Sequence, residues 1–176
     1  MIGKTLLGAA CAAMIMAAVS VIPTAANADT SRQFLEKAFR GDVSEMMLGQ
    51  MAEKKAGNST VREFGRTLFD DHGKAKDDVS ALVHKRGMSL PEKPIPQAVE
   101  EKDRLSRLSG DQFDREFVRY MIIDHRHDIA DFRKEIAKHD GDVSKLAKDQ
   151  LPTIEKHLDM AVSIAREPKI AEVETP

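Results

Sequence analysis

The 176-residue chain has no tryptophan, one tyrosine (Tyr120) and one cysteine (Cys11). Aromatic residues make up 5% of it, too few for sandwiches and barrels, which lean on aromatic and β-branched side chains. Its 27 Lys+Arg nearly balance 29 Asp+Glu, which argues against nucleic-acid binding driven by bulk charge. It contains no G-x-S-x-G, no glycine-rich phosphate loop and no HExxH, so the familiar hydrolase, nucleotide and zincin signatures are missing. What remains is 41% hydrophobic and 32% charged, enough to fill the core of one domain and too apolar for a chain disordered throughout.

The one long apolar run lies at the start. Met1 to Lys4 supplies a short positive region, Thr5 to Ile22 is almost wholly apolar, and Ala26-Asn27-Ala28 is a small-x-small cleavage site. We therefore expect residues 1–28 to be a cleaved signal peptide and the chain to be exported to the periplasm, starting at Asp29. A retained anchor would need about 20 apolar residues with no cleavage signal behind them. A lipoprotein would want leucine three residues before Cys11, where Gly8 stands. Removing residues 1–28 takes Lys4 and Cys11 with it, moves the net charge from −2 to −3 and leaves no membrane span and no cysteine. Packing or a ligand, not disulfides, must then stabilise the exported chain.

Four long amphipathic segments follow from spacing and punctuation. The first spans about Ser31 to Gly57, with Phe34, Ala38, Gly41, Glu45, Leu48, Ala52 and Ala56 three or four apart. The second spans about Thr60 to Arg86 on Val61, Phe64, Leu68, His72, Ala75, Val79 and Leu82. Residues 88–110 form a long connection with Pro91, Pro94 and Pro96 and a short helix from Gln97 to about Leu108. The third long segment runs from about Asp111 to His139 on Val118, Ile122, His125, Ile129, Phe132 and Ile136. The fourth runs from about Asp142 to Arg166 on Val143, Ala147, Leu151, Ile154, His157 or Leu158, Ala161 and Ile164 or Ala165. Pro152 lies inside the last pattern and predicts a kink or a split there.

The expected fold is all-α: a four-helix bundle of ferritin-like type over residues 29–167, with one long connection carrying a short extra helix. Residues 168–176 read as a disordered tail. An internal repeat supports this layout, because Phe64-x-Arg66-x-x-x-x-Asp71-His72 recurs as Phe117-x-Arg119-x-x-x-x-Asp124-His125.

Glu45, His72, His125 and His157 each occupy a position where the helix pattern calls for an apolar residue. Their heights also agree. Glu45 and His72 lie 13 and 12 residues from Asn58 and Thr60, roughly 18–20 Å from that turn. His125 and His157 both lie 16 residues from Gly141, roughly 24 Å from theirs. One such residue per helix near mid-height makes a candidate ligand set for one transition-metal ion: zinc, copper, iron or manganese. The competing reading is a metal-free buried network that fixes helix register.

Asp71 and Asp124 precede two of these histidines by one residue, about 100° around the helix, so they face a neighbouring helix. They stand either behind an imidazole there, as outer partners of a metal ligand, or in pairs with Arg66 and Arg119. Asp128, one turn after His125, reads as an exposed carboxylate more readily than as a further ligand. His84 and His139 sit where cations complement helix C-termini, and His127 points off the seam. Met121 and Met160, one turn from His125 and His157, are core fillers that would suit copper if the site binds it.

These residues resemble a family of exported bacterial proteins known as domain of unknown function 4142. The resemblance covers about residues 31–165 and rests on Phe34 with Glu45, Val61-x-x-Phe64 with Asp71-His72, and Leu90-Pro91. It continues through Leu105-x-x-Leu108-x-Gly110-x-x-Phe113-Asp114, His125, and Leu151-Pro152 with His157. It implies a ferritin-like helical fold and an exported protein, and no particular activity. Ferritin-like di-iron sites use several inward glutamates and E-x-x-H pairs, whereas this chain has Glu45 alone on a seam and no E-x-x-H.

Two functions are consistent with these features. One is a periplasmic bundle that binds a transition-metal ion at mid-core for metal handling or envelope stress. The other is a metal-free structural or stress-response module that engages a partner of the cell envelope.

Overall fold

The structure, a computed structural model, describes residues 25–139, 141–168 and 170, with side chains from residue 30 onward. The apolar part of the expected signal peptide and residues 171–176 of the expected tail lie outside the described residues. The chain is all-α: α1 (Ala25–Lys55), α2 (Ser59–Lys85), α3 (Pro96–Ser106), α4 (Gly110–Ala137) and α5 (Gly141–Ala165), with no strand among the described residues. No described helix is long and apolar enough to cross a membrane.

Local chemistry sets most of the boundaries. The Asn58 side chain accepts from Thr60 N at 2.7 Å and caps α2, and a proline in its first turn opens α3. Gly87 follows α2 at φ 65, donating to His84 O while Met88 N reaches back to Val83 O. Two boundaries differ from expectation. The first helix extends ahead of Ser31 to at least Ala25, the first described residue, through an alanine-rich stretch that favours helix. Pro152 does not split α5, which is continuous through it. Pro152 and Lys148 are both exposed, so the carbonyl that loses its partner faces water. In the segment expected to be disordered, Ile170 is fully buried in the core.

α1 and α2 form one hairpin, α4 and α5 a second, and each long helix packs most extensively on its hairpin partner. Between the hairpins, α1 faces α4 and α2 faces α5. Phe34 meets Phe132 edge-on at 5.0 Å between ring centres near the start of α1 and the end of α4. At the other end, Gly57 N and Asn58 N donate to the Asp114 carboxylate at 3.0 and 2.7 Å. α1 and α4 are therefore antiparallel, and Asp71 against His157 with Ala75 against Gln150 makes α2 and α5 antiparallel too. It follows that α2 and α4 run in the same direction, and the 86–109 connection must return along the length of the helices. It is pinned to α1 as it goes. Arg40 donates to the carbonyls of Lys93 and Pro94, Ser44 Oγ accepts from Ile95 N at 2.9 Å, and Lys55 Nζ donates to Leu105 O at 3.0 Å.

Within the first hairpin the helices almost touch. A Cβ on Gly49 would lie 2.6 Å from Gly65 O, and one on Gly65 would lie 2.7 Å from Gly49 O. These are backbone contacts, so only glycine fits at either position.

The apolar core falls into two clusters. One contains Leu48, Phe64, Leu68, Phe117, Ile122 and Ala161, and the other Leu35, Phe39, Val79, Ile129, Ala147 and Ile154. Between Phe39 and Leu48, Leu68 and Val79, Ile122 and Ile129, and Ile154 and Ala161, each long helix contributes buried polar residues to a single layer.

Candidate metal centre

That layer holds Asp42 and Glu45 from α1, His72 from α2, His125 from α4 and His157 from α5. Their exposures are 7%, 1%, 6%, 1% and 0%, so they are largely removed from bulk water. The three imidazoles form a near-equilateral triangle, with ring centres 5.2, 5.5 and 5.9 Å apart. One ring nitrogen from each lies within 4.8 Å of the other two.

Each imidazole is held from outside by one nitrogen. His72 Nδ1 donates to Asp42 Oδ1 at 2.9 Å, His125 Nδ1 to the Met121 carbonyl at 3.0 Å, and His157 Nε2 to Asp71 Oδ2 at 3.0 Å. The remaining nitrogens, His72 Nε2, His125 Nε2 and His157 Nδ1, are buried and make no hydrogen bond. An N–H given to a carboxylate or carbonyl leaves the other nitrogen with its lone pair free, which is the tautomer a metal requires. Each buried polar atom left unpaired costs about 1–3 kcal/mol, so the layer is costly unless something takes up these lone pairs.

Glu45 adds two more unpartnered oxygens. One of them groups with Asp124 and His125, a ligand atom of each lying within 4.8 Å of the others, so Glu45 lies at the His125 side of the triangle. Asp71 stands behind His157 on α5, whereas Asp124 lies against Glu45 on α1. Neither pairs with the neighbouring arginine, since Arg66 binds Glu53 and Arg119 binds Glu116. The repeat thus places equivalent aspartates on α2 and α4, each reaching across to the other hairpin.

Burial sets the ionisation of the layer. It drives the His125 imidazole well below its usual range, helped by the neighbouring histidines, and takes His157 down to about 4 against the opposing pull of Asp71. Both rings are neutral at pH 7. Burial also pushes the Glu45 carboxyl well above its usual range, with the Asp124 charge adding to it. Asp128 rises to about 7 for the same two reasons, opposed by Lys37. Asp128 is part-exposed beside Lys37, 4.0 Å from the ammonium, which also binds Asp131.

Asp42 is the site residue that the sequence pattern misses. The α1 seam runs through Gly41 and Glu45, and Asp42 sits beside it, one turn behind Glu45 on the side facing α2. Met121 supplies its carbonyl to His125 and packs in the core.

Comparison with known proteins agrees with the architecture. No curated protein matches the chain. The crystal structure of a DUF305 fragment from Deinococcus radiodurans is similar, with 19% identity and a TM-score of 0.68 over 78% of this chain and 96% of that one. At that identity the likeness concerns the fold alone. The family model described as Domain of unknown function (DUF4142) matches residues 17–164, and the chain, built around this His-rich layer, belongs to that family.

Proposed function

We propose that this is an exported periplasmic four-helix bundle of ferritin-like type that binds one transition-metal ion, with a role in metal handling or envelope stress. His72, His125 and His157 are the ligands, Glu45 supplies a carboxylate oxygen, and Asp71 and Asp42 hold two of the imidazoles in the ligating tautomer. Asp124 steadies Glu45. One observation carries this reading: three buried imidazoles are each fixed from behind while their other nitrogens converge without partners. Imidazole and carboxylate donors suit zinc, copper, iron or manganese better than calcium or magnesium. A metal-free network is disfavoured because a register-fixing network would pair these atoms with one another.

The test is metal analysis of untagged protein purified from the periplasm. We expect about one equivalent of a transition metal per chain, removable by chelator. Its absence after reconstitution with zinc, copper, iron and manganese in turn would sink the proposal. Export is tested separately by intact mass, which should correspond to a chain starting at Asp29. A mass that retains residues 1–28, or that carries lipid on Cys11, would refute a freely periplasmic protein.

The pH dependence has a definite sign. In the unfolded chain histidine binds a proton below about pH 6.5, whereas folded His157 does so only near 4. The imidazoles therefore contribute stability at neutral pH that is lost as pH falls from about 6.5 towards 4. Asp128 acts oppositely: its folded value of about 7 exceeds the unfolded carboxylate value, so its contribution is present in acid and is lost as pH rises through 7. Metal needs neutral imidazoles, and folded His157 stays neutral down to about pH 4, so the rise in Tm on adding zinc should be large at pH 7.5, persist at pH 5 and vanish as pH falls through about 4. Thermal unfolding with zinc and with chelator across this range checks it. A zinc effect undiminished at about pH 3, below the His157 value, would exclude histidine ligation.

A further inference from the structure

Two opposite faces of the molecule approach the polar layer, and they differ in width. On the α1–α4 face a cavity of about 20 Å³, room for roughly one water, reaches Asp42 and His72. Lys37 lines it, with its ammonium on Asp131 and 4.0 Å from Asp128. A wider groove of about 370 Å³ beside it reaches Asp124 and Asp128 but touches none of the three site histidines, and Lys37 lines it as well. On that side the Lys37 ammonium is already engaged by Asp131 and Asp128, and the opening that reaches His72 is only about 20 Å³.

The α2–α5 face is different. There a groove of about 470 Å³ has Asp42, His72, Asp71 and His157 in its inner wall, and Asp78 and Asp149 on its exposed margins, one on each helix. Four carboxylates line it against the Lys74 ammonium, whose side chain is 80% exposed, and Asp149 also pairs with the 73% exposed Lys145 one turn before it on α5. The inner wall contains three buried atoms without partners: Asp42 Oδ2, His72 Nε2 and His157 Nδ1. The Asp78 charge is felt at Asp42, so margin and inner wall share one field.

We propose that the α2–α5 groove is an outer cation site, in which a hydrated divalent ion is captured between Asp78 and Asp149 and passed along Asp42 and Asp71 to the imidazoles. The inference rests on the metal centre proposed above and adds the way in. Carboxylates at the margin raise the local concentration of a hydrated cation, and Asp42 and Asp71 replace its waters as it moves inward. The α1–α4 side is closed by its width, since the cavity that reaches His72 there holds about one water. The groove excludes anionic chelates for the same reason that it admits the bare ion.

The experiment is stopped-flow binding of Co²⁺ to the metal-free protein, read by the visible absorption that imidazole ligation produces. In the exposed, isosteric double variant Asp78→Asn/Asp149→Asn, association at low ionic strength should slow by about ten-fold and lose most of its salt dependence. Its dissociation rate should stay within about two-fold of the parent's, since neither residue touches the bound ion. Thr153→Arg, which places bulk and positive charge in the groove, should slow association further, and circular dichroism shows whether that variant folds. Lys37→Met should leave the rate within about two-fold. If both groove variants bind at the parent's rate, the proposal is overturned while the metal centre stands. If the parent itself binds no Co²⁺, the metal centre falls and the route falls with it.

Discussion

In the His125→Leu protein, addition of zinc is expected to leave Tm unchanged, whereas the parent gains several degrees. An ion at a hundred-fold excess over its Kd stabilises by about 2.7 kcal/mol, or roughly 5–10 °C for a domain of this size. His125 is the ligand to replace because its outer partner is a main-chain carbonyl of its own helix, so leucine leaves no new carboxylate unpaired. With chelator present, the variant should be at least as stable as the parent, since an apolar side chain replaces a buried imidazole whose inner nitrogen has no partner. Differential scanning calorimetry with zinc and with chelator separates the readings. A variant that keeps the full zinc effect would remove His125 from the ligand set. A variant severely destabilised in chelator, beside a parent indifferent to zinc, would favour the hydrogen-bonded network.

Gly65→Ala is expected to destabilise the protein more than any other single-methyl addition in the first hairpin. The new methyl would lie 2.7 Å from Gly49 O, 2.8 Å from Ala52 Cβ and 2.9 Å from Glu53 N, so α1 itself would have to move. Overpacking of this kind costs about 3 kcal/mol, and the better helix propensity of alanine returns about 1 kcal/mol. A net loss of roughly 2 kcal/mol should lower Tm by about 4–8 °C. Gly73→Ala is the matched control: its methyl would meet only Met46 Cε, at 3.8 Å, so it should stabilise by about 0.5–1 kcal/mol. Denaturant unfolding of the pair decides. Equal effects from both substitutions would mean that the Gly49–Gly65 approach is looser than described.

The helices are legible because a 3.6-residue period survives across each of them, from Phe34 to Ala56 and from Val118 to Phe132. The burial of His72, His125, His157 and Glu45 is legible for the same reason, since each interrupts an otherwise apolar seam. Asp42 is not, because a buried stripe is wider than one seam: Leu35, Phe39 and Asp42 form a second row, and the pattern through Gly41 draws the eye away from it. Nor is the direction of α4. The same amphipathic pattern fits an up-and-down order or a crossover, and only tertiary contacts such as Gly57 and Asn58 on Asp114 choose between them. The glycine contact is hidden too, since a glycine inside a helix looks alike whether another backbone presses on it or nothing does. Pro152 misleads in the other direction, because its cost depends on whether the orphaned carbonyl meets water.

The crossover carries a further consequence. Each hairpin brings two of the proposed ligands to the layer, Glu45 and His72 from the first, His125 and His157 from the second, and the hairpins hold each other less extensively than each holds itself. An ion bound by all four would act as a clasp across a seam that both apolar clusters also span. Its departure would loosen that seam, so the apo protein would open between the hairpins more readily than the holo protein. The same clasp would make metal release a matter of breathing between the halves, on the α2–α5 seam where the groove already lies.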